Sequence, residues 1–338
     1  MRMWKFIYID VQLEGYDYFR YTKDREQDYC YYNRCIFERY KGLAQKILRL
    51  NYSIKLNNKI NNPLKGIFNS LILDSNAKEI ASSSDSKLCF ILEGSAYRHV
   101  DAGICNYLRK KYPQCRLVFA FDGKVDIFYR EYKSFSIKKV KELFDIVISY
   151  NPLDAQKYGL LQSRPKIIKF LVDKSDADIS SDAFFVGAAK DRLDSILYVF
   201  KTFISAGLKC DFHIIGVPKE YQVYADIIDY NHRISYDEVL KHIKSTKCVV
   251  NILEGGNSGI TLRDYEAISF GKFIITDNKS ISESPLYDSD NIIFSSDLDE
   301  NIERIKNSSM PRMWKNTQEF SHQKYYQWLG NELDNLEE

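Results

Sequence analysis

An α/β fold with two doubly wound domains is predicted by three features of this sequence. Short apolar runs alternate with segments of helical period, which is typical of strands and helices joined in βαβ units around a parallel sheet. The chain has 338 residues, enough to bury two separate cores. A polar stretch with Pro152 and Pro165 interrupts the pattern, which then begins again. This interruption indicates a boundary between two α/β domains.

The first half of the chain is predicted to contain four strands and three helices. Apolar runs predict strands at 4–11, 88–92, 116–121 and 146–149. Apolar residues at spacings of four and three predict an amphipathic helix; they are Ile36, Tyr40, Leu43, Ile47 and Leu50. Two more helices are predicted at 100–111 and 137–144. Loops are expected at 51–62, which is rich in Asn, and at 82–86, which is rich in Ser.

The second half repeats this alternation. Strands are predicted at 184–187, 212–216, 248–253, 273–276 and 292–294, and helices at 193–204, 236–244 and 260–270. Residues 313–336 have a helical, aromatic-rich pattern, and we expect them to cross back onto the first domain. The predicted domains are 1–165 and 166–312, followed by a terminal helix at 313–338. Ligands of such sheets bind outside the carboxyl ends of the strands, so two facing domains form a cleft.

The overall charge is nearly balanced. The chain has 48 Lys and Arg against 46 Asp and Glu, a net charge of +2, with 45% hydrophobic and 28% charged residues. This composition is typical of globular proteins and excludes a disordered or fibrous chain. It also argues against the broad positive surface of nucleic-acid-binding proteins, although a local basic patch is compatible with it. The sequence therefore predicts no nucleic acid among the partners.

Cysteine and histidine usage predicts neither disulfides nor a metal. The seven cysteines are an odd number and include no C-x-x-C pair, which is typical of reduced thiols in the cytosol. The five histidines form no H-E-x-x-H or other ligand spacing. No metal site is therefore predicted.

The sequence predicts a cytoplasmic protein. The apolar run at the beginning is too short for a signal peptide, and no run approaches the ~18 residues of a membrane span. The basic clusters 109–111 and 138–141 are interpreted as solvated helix faces. An alternative is that they contact anionic lipid at the inner face of the cell membrane.

The most informative segment runs from 248 to 272. A buried strand leads into a loop with Gly255, Gly256 and Gly259, and a helix follows. Glycines allow backbone N–H groups to approach an anion closely, and a helix N-terminus adds about half a positive charge. Ser258 and Thr261 can donate hydroxyl hydrogen bonds or cap the helix. The pattern suggests an anion site at the loop.

Two interpretations of the following helix remain open. Arg263 and Glu266 lie three residues apart, hence on one face. In the functional interpretation, Arg263 pairs with the phosphates of a nucleotide diphosphate and Glu266 accepts from the ribose hydroxyls. In the alternative, the Gly-rich segment is an ordinary turn without a ligand, and Arg263 and Glu266 form a salt bridge within the helix that follows it. The segment is neither a P-loop nor a G-x-G-x-x-G fingerprint, which disfavours ATPases and dehydrogenases.

Four stretches of the chain resemble a known group of enzymes. The runs 256–268 and 271–278, with 144–159 and 184–192, resemble bacterial polysaccharide and lipopolysaccharide biosynthesis proteins. These are glycosyltransferases of the GT-B fold, similar to the spore-maturation CgeB-like group. The resemblance covers about 144–296, and the first ~140 residues match only in architecture.

The resemblance implies a division of labour between the domains. It places a nucleotide-sugar donor mainly on the second domain and the acceptor mainly on the first, with a closing cleft and no obligatory metal or other cofactor. The donor-site residues that it implies are Gly187, Arg192, Gly255, Gly256, Ser258, Gly259, Thr261, Arg263 and Glu266. Tyr236, predicted at a helix start, either stacks on the base or packs within the protein. Glu254 and Glu266 are twelve positions apart instead of the eight seen in many retaining GT-B enzymes, which leaves the stereochemistry open.

A general base is expected in the first domain. Inverting transfer requires a carboxylate or histidine that deprotonates the acceptor hydroxyl. The polar stretch after the strand at 88–92 offers His99 and Asp101, with Glu93 and Asp122 as further candidates. Asp101 is equally suited to cap a helix, and His99 to lie in an exposed loop.

The sequence thus predicts transfer of a sugar from a nucleotide-diphosphate donor to a surface polysaccharide, a lipopolysaccharide or another glycan, which can be lipid-linked. Two alternatives keep the fold. A nucleotide-sugar epimerase would turn over the donor without an acceptor. A non-catalytic sugar- or nucleotide-binding protein would bind the donor without turnover.

Overall fold

The chain separates into two compact α/β units. One consists of Met1–Arg164 together with His322–Glu338, and the other of Pro165–Ser321. The computed structural model describes residues 3–9, 26–27, 29–57, 59, 65–83, 86–133, 135–167, 178–255, 257–315 and 317–336. The side chains of residues 26, 27, 57, 65 and 98–101 are outside this description.

The first unit is built on a seven-stranded sheet. Its strands are β1 (Trp4–Ile9), β2 (Glu26–Gln27), β3 (Cys30–Asn33), β4 (Lys87–Glu93), β5 (Arg116–Phe121), β6 (Ile146–Ser149) and β7 (Leu161–Gln162). They lie in the order β2-β3-β1-β4-β5-β6-β7, and all neighbours are parallel except β2 and β3. The sheet reverses its direction of winding between β1 and β4, so the carboxyl end of β4 lies at a position where such sheets bind ligands.

Eight α-helices of the described chain precede the second sheet. They are α1 (Ile36–Arg39), α2 (Gly42–Asn51), α3 (Ile54–Asn57), α4 (Ser75–Ser82), α5 (Gly94–Lys111), α6 (Val125–Glu131), α7 (Ile137–Leu143) and α8 (Pro152–Tyr158). The predicted loop at 51–62 therefore contains a short helix. The strand β3 was not predicted; its polar Asn33 is buried because its Oδ1 accepts from the backbone N–H of Asp74 at 2.8 Å.

Helix α5 begins six residues before its predicted start at 100. The helix begins at Gly94, directly after β4. Glycine is required at this position because a Cβ would lie 2.3 Å from Cζ of Phe128. The Oδ2 atom of Asp122 accepts from the N–H of Ser95 at 3.3 Å. Asp101 consequently lies inside the helix and does not cap it.

The predicted amphipathic helix at 36–50 is two helices. Gly42 adopts a left-handed φ of 61° at the start of α2, which separates it from α1. The apolar stripe that predicted an amphipathic helix includes three residues of α2. Leu43, Ile47 and Leu50 expose 74%, 47% and 63% of their surface, and Leu48 is the buried leucine of this helix.

The second unit is a six-stranded, fully parallel sheet. Its strands are β8 (Ser181–Ala188), β9 (Cys210–Ile215), β10 (Asp229–Tyr230), β11 (Thr246–Asn251), β12 (Phe273–Thr276) and β13 (Ile292–Phe294). The order is β10-β9-β8-β11-β12-β13. This is the strand order of dinucleotide-binding folds, and winding reverses between β8 and β11. Among the described residues of this unit, the α-helices are α9 (Leu193–Ser205), α10 (Tyr236–Lys244), α11 (Leu262–Ser269) and α12 (Leu298–Lys306).

The terminal helix α13 (His322–Asp334) packs on the first unit, as predicted. Phe6 of β1 meets Tyr326 with ring centroids 4.9 Å apart, and the indole N–H of Trp4 donates to Asp334 at 3.0 Å. The helix begins at 322 and not at 313, because the preceding segment is tied to the second unit. There the indole of Trp314 donates to the carbonyl of Lys272 at 3.2 Å.

The predicted fold class is confirmed. Both units are α/β with doubly wound sheets, and the C-terminal helix returns to the first unit, which are the components of a GT-B fold.

Candidate functional site

The carboxyl ends of β8 and β11 lie side by side at the point where the second sheet reverses its winding. The loops that follow these strands, 189–192 and 252–261, therefore meet at one edge of the sheet. In open α/β sheets this position is where ligands bind. We call these two loops and the first turn of α11 the switch-point site.

Arg192 joins the two loops. Its Nε and Nη2 atoms donate to the carbonyl of Ala188 at 3.2 and 3.1 Å, and Nη1 donates to the carbonyl of Ile252. Burial lowers the pKa of this guanidinium, opposed by nearby carboxylates. Gly187 provides the space, since a Cβ there would lie 3.2 Å from Nη2 of Arg192. The two residues hold the site together.

The rim of the site carries two exposed charge contacts. Lys190, in a left-handed conformation with φ 47°, donates to Oε2 of Glu254 at 2.5 Å. The N–H of Gly255 donates to Oδ2 of Asp191 at 3.1 Å. Exposed pairs of this kind contribute ~0–1 kcal/mol, so an anionic ligand can replace them.

The start of α11 is fixed by a buried carboxylate. Oδ2 of Asp264 accepts from the N–H of Thr261 at 2.8 Å and from its hydroxyl at 3.1 Å. Asn251 at the end of β11 donates to Oδ1 of Asp264 at 2.7 Å. Burial raises the pKa of Asp264, and these hydrogen bonds oppose that shift. The hydroxyl of Thr261 therefore serves the helix start, the capping role allowed by the sequence.

The middle of the loop is anchored from the segment after β12. The hydroxyl of Ser280 donates to the carbonyl of Ser258, and Asn278 donates to the carbonyl of Gly259 at 3.4 Å. Gly256 lies outside the described residues. These bonds anchor the carbonyls of Ser258 and Gly259 to the segment after β12.

Glu266 is, like Asp264, a fully buried acid of the site. It has no exposed surface, its Oε1 accepts from the hydroxyl of Tyr236 at 2.6 Å, and its Oε2 accepts from Nη1 of Arg263. Burial raises the pKa of Glu266, while Arg263 and Tyr236 lower it. The salt bridge of the alternative interpretation is thus present, and Tyr236 packs in the protein at the start of α10.

The predicted donor-site residues of the second unit that the structure describes lie at the end of β8, on the loops after β8 and β11, at the start of α10 and on α11, and three of the backbone amides there are already occupied. The N–H groups of Gly255, Ser258 and Thr261 already donate to Asp191, Asn257 and Asp264. The side chains of Lys190 and Arg263 are then the cations available at the rim. Lys190 and Asp191 were missed, although both directly follow the strand β8, a position that marks ligand-binding loops.

The candidates for the base lie at the carboxyl ends of β4 and β5. Glu93, 8% exposed, accepts from the hydroxyl of Tyr8 at 2.5 Å. Asp122 caps α5 through the N–H of Ser95. His99 and Asp101 lie within α5, and their side chains are outside the description. Among the four candidates, the structure thus describes the side chains of Glu93 and Asp122, and Asp122 is engaged at the start of α5.

Comparison with known families gives one match. A family model described as glycosyl transferase-like matches residues 195–324, which is less than half of the chain but includes the loop 252–261 and α11. This match supports a glycosyltransferase. The comparison with curated proteins found no match.

Several solved structures are similar at low identity. An alpha-glucosyltransferase in complex with UDP and a 13-mer DNA is 13% identical, with 97% of this chain and 95% of that chain covered and a TM-score of 0.49. A DNA-modifying beta-glucosyltransferase is 12% identical, with 75% and 80% covered and a TM-score of 0.37. A UDP-forming alpha,alpha-trehalose-phosphate synthase from Burkholderia vietnamiensis is 9% identical, with 99% and 95% covered and a TM-score of 0.44.

The predicted exclusion of nucleic acid is wrong. A structurally similar alpha-glucosyltransferase was solved with DNA. The physical reason is that a net charge of +2 is a sum over the whole chain and conceals local excess. Residues 40–73 contain six Lys or Arg and no Asp or Glu. Balanced total charge therefore does not exclude an anionic polymer as a partner.

Among the described residues, no helix combines the length and the apolar character needed to cross a membrane.

We predict that Tyr236→Phe destabilises the protein by about 1.5–3 kcal/mol, because it removes a hydrogen bond to a buried carboxylate. Tyr198→Phe is the matched control: its hydroxyl donates to Asp299 at 3.2 Å on the surface, and its loss should cost under about 0.5 kcal/mol. Urea unfolding of both variants measures the difference, and equal losses would contradict the prediction.

The pH dependence has a defined sign. Since burial raises the pKa of Glu266, its contribution to stability is present below its unfolded pKa and is lost as pH rises through the folded value. Tyr236→Phe raises that pKa further, so the gap between variant and wild type should widen with rising pH.

Proposed function

We propose that this chain is a glycosyltransferase that takes a sugar from a nucleotide-diphosphate donor and attaches it to a glycan acceptor. The observation that carries the proposal is the cationic Arg263 in the first turn of α11, held by the buried Glu266 at the switch point of a dinucleotide-type sheet. A cation in this turn opposes the helix dipole unless an anion binds beside it.

The donor diphosphate binds, in this proposal, at the rim formed by Lys190 and Arg263. Arg192 interacts electrostatically with Glu254, Asp191 and Arg263, so these charges share one neighbourhood. A diphosphate carries more charge than a single carboxylate and would displace Glu254 from Lys190. The remaining N–H groups of the Arg263 guanidinium can pair with phosphate oxygens.

Glu266 acts as a positioning residue in this proposal. Both of its oxygens are occupied and it is fully buried, which disfavours the ribose contact that the sequence suggested. It instead fixes the plane of the Arg263 guanidinium. Gly255, Gly256, Ser258 and Gly259 form the loop beneath the diphosphate, and Thr261 fixes the helix start.

Catalysis combines two tasks. The cations and the N-terminal dipole of α11 stabilise the charge that develops on the leaving diphosphate as the bond to the anomeric carbon breaks. A base in the first unit accepts the proton of the acceptor hydroxyl as the new bond forms. We propose Glu93 for this role, with His99, Asp101 and Asp122 as the other candidates.

We place the acceptor among surface polysaccharides, lipopolysaccharides or lipid-linked glycans, and the protein in the cytoplasm at the inner face of the membrane. The exposed stripe of Leu43, Ile47 and Leu50 supports this, because it lies in the segment 40–73 that carries only positive charge. Apolar side chains next to Lys and Arg are typical of helices that bind anionic lipid surfaces.

A donor screen tests the function. Binding of UDP-, GDP-, dTDP- and CMP-sugars is measured by calorimetric titration and by thermal shift. In the thermal-shift measurement, a nucleotide at 100 times its Kd should raise the free energy of unfolding by about 2.7 kcal/mol. Turnover is then followed with glycan, lipid-linked and duplex DNA acceptors. Turnover of the donor without an acceptor would favour an epimerase, and binding without any turnover would favour a binding protein.

Arg263→Ala should weaken binding of the nucleotide-sugar by about 10–100-fold, the loss of a charge-assisted hydrogen bond. Arg233→Ala, which removes an exposed arginine of the same unit, is the control and should bind normally. Calorimetry measures both. Unchanged affinity in Arg263→Ala would refute the proposed site.

Glu93→Gln should lower kcat by about 10²–10⁴-fold while donor affinity is retained, because the amide cannot accept the proton and the donor site lies in the other unit. Glu131→Gln, at an exposed position of α6, should have normal kcat. If Glu93→Gln keeps full activity, the base is one of the other candidates.

Replacing Leu43, Ile47 and Leu50 together by Ser should reduce binding to vesicles of anionic phosphatidylglycerol at least about tenfold. Ile227→Ser, at an exposed position of the second unit, is the control. Co-sedimentation measures the bound fraction. The assignment to lipid would be contradicted if the triple variant bound the vesicles as well as the wild type. It would also be contradicted if the variant lost binding to DNA and not to vesicles.

A further inference from the structure

Three of the five histidines meet two aspartates on the second sheet. Asp211 and His213 lie two residues apart on β9 and hence on one face, and His242 reaches them from α10. The Nε2 atom of His213 is 3.0 Å from Oδ1 of Asp211, and Nδ1 of His242 is 2.5 Å from Oδ2 of the same carboxylate. The spacing of these residues along the chain did not predict that they would form a cluster.

His213 faces a carboxylate on both sides. Its Nδ1 lies 2.9 Å from Oδ2 of Asp229, while its Nε2 faces Asp211. A neutral imidazole has a single N–H, so one of these contacts would set a lone pair against a carboxylate. Within the described residues, the ion-pair partners of both aspartates are histidines. Both contacts of His213 are satisfied either when the ring is protonated on both nitrogens or when a metal ion takes the place of one of these protons.

We propose that Asp211, His213 and His242 bind a divalent transition-metal ion of the Zn²⁺ class. Their ligand atoms all lie within 4.8 Å of one another. Two donors at ~2.05 Å from a tetrahedral ion are about 3.3 Å apart, so the observed contacts need only small side-chain shifts. Two imidazoles with one carboxylate favour Zn²⁺ over the oxygen-preferring Ca²⁺ and Mg²⁺.

Asp229 completes the arrangement. With the metal on Nε2 of His213, the proton of that ring is on Nδ1 and is donated to Asp229, which fixes the tautomer. Carboxylates in this position are the usual support of a metal-binding histidine. The same geometry that is unfavourable for a neutral, metal-free imidazole is thus complete once the ion is bound.

The site is accessible and rigid. The side chains of His242 and Asp211 are 32% and 25% exposed, which leaves a path for the ion and a position for a water ligand. The ring of Phe184 stacks on His242 with centroids 5.3 Å apart and an interplanar angle of 8°. The metal would join β9 to α10, the helix whose first residue, Tyr236, holds Glu266.

The whole chain is first treated with a chelator to remove metal ions. It is then titrated with ZnCl₂ in competition with a chromophoric chelator. A separate titration with CoCl₂ records the absorption spectrum of the bound ion. We expect one equivalent of Zn²⁺ and a tetrahedral Co²⁺ spectrum. His213→Ala and His242→Ala should lose at least about 100-fold in affinity, and Asp229→Asn about 10–100-fold.

His232→Ala is the matched control. His232 also contacts Asp229, at 3.2 Å, but its side chain is 72% exposed and belongs to no ligand set, so affinity should be unchanged. Circular dichroism verifies folding, and His242→Gln replaces the alanine variant if that one does not fold.

Absence of stoichiometric Zn²⁺ or Co²⁺ binding by the wild type would overturn the proposal. Full retention of binding in folded His213→Ala and His242 variants would overturn it as well. Nucleotide-sugar binding is measured separately, so failure here and failure of the proposed function are distinguishable.

Discussion

The guanidinium of Arg192 connects the two strands between which the second sheet reverses its winding. It reaches the carbonyl of Ala188 at the end of β8 and that of Ile252 in the loop after β11, and Gly187 leaves room for it. The connections that follow these two neighbouring strands lead in opposite directions, which leaves a crevice at the carboxyl ends of the strands. A half-buried, multiply bonded cation keeps the two loops at a fixed separation there, and the exposed charges of the rim depend on that separation.

Buried acids organise the rest of the site. Asp264 and Glu266 lie on α11, and burial raises the pKa of each. Both are retained because every oxygen has a donor: Thr261 and Asn251 for the first, Arg263 for the second, together with a tyrosine hydroxyl. An unpaired buried carboxylate would be costly, so these networks fix the helix start and the direction of the arginine.

The sequence predicted the loop and helix of the site better than its chemistry. The Gly-rich run lies between a strand and a helix, as predicted. Arg263 and Glu266 lie on one face of that helix and form a salt bridge. The N–H groups of Gly255 and Thr261 already donate within the protein. Asp264 lies three residues after Thr261, a capping spacing that is visible in the sequence, whereas Asp191 is 64 positions from Gly255 and no local pattern reveals it. Lys190 was overlooked because a lysine after a strand is ordinary in composition. What singles out Lys190 is its contact with Glu254, which the loop after β11 places beside it.

By itself, the sequence determined the α/β class, the two doubly wound units and the returning terminal helix, since alternating apolar periods dictate which elements form. Tertiary structure alone decided which residues meet. It turned the apolar stripe of α2 to the surface and started α5 at Gly94. It also brought His213 and His242 to one carboxylate. Periodicity is a local property, whereas contacts between strands and helices distant in the chain follow from how the sheet is assembled.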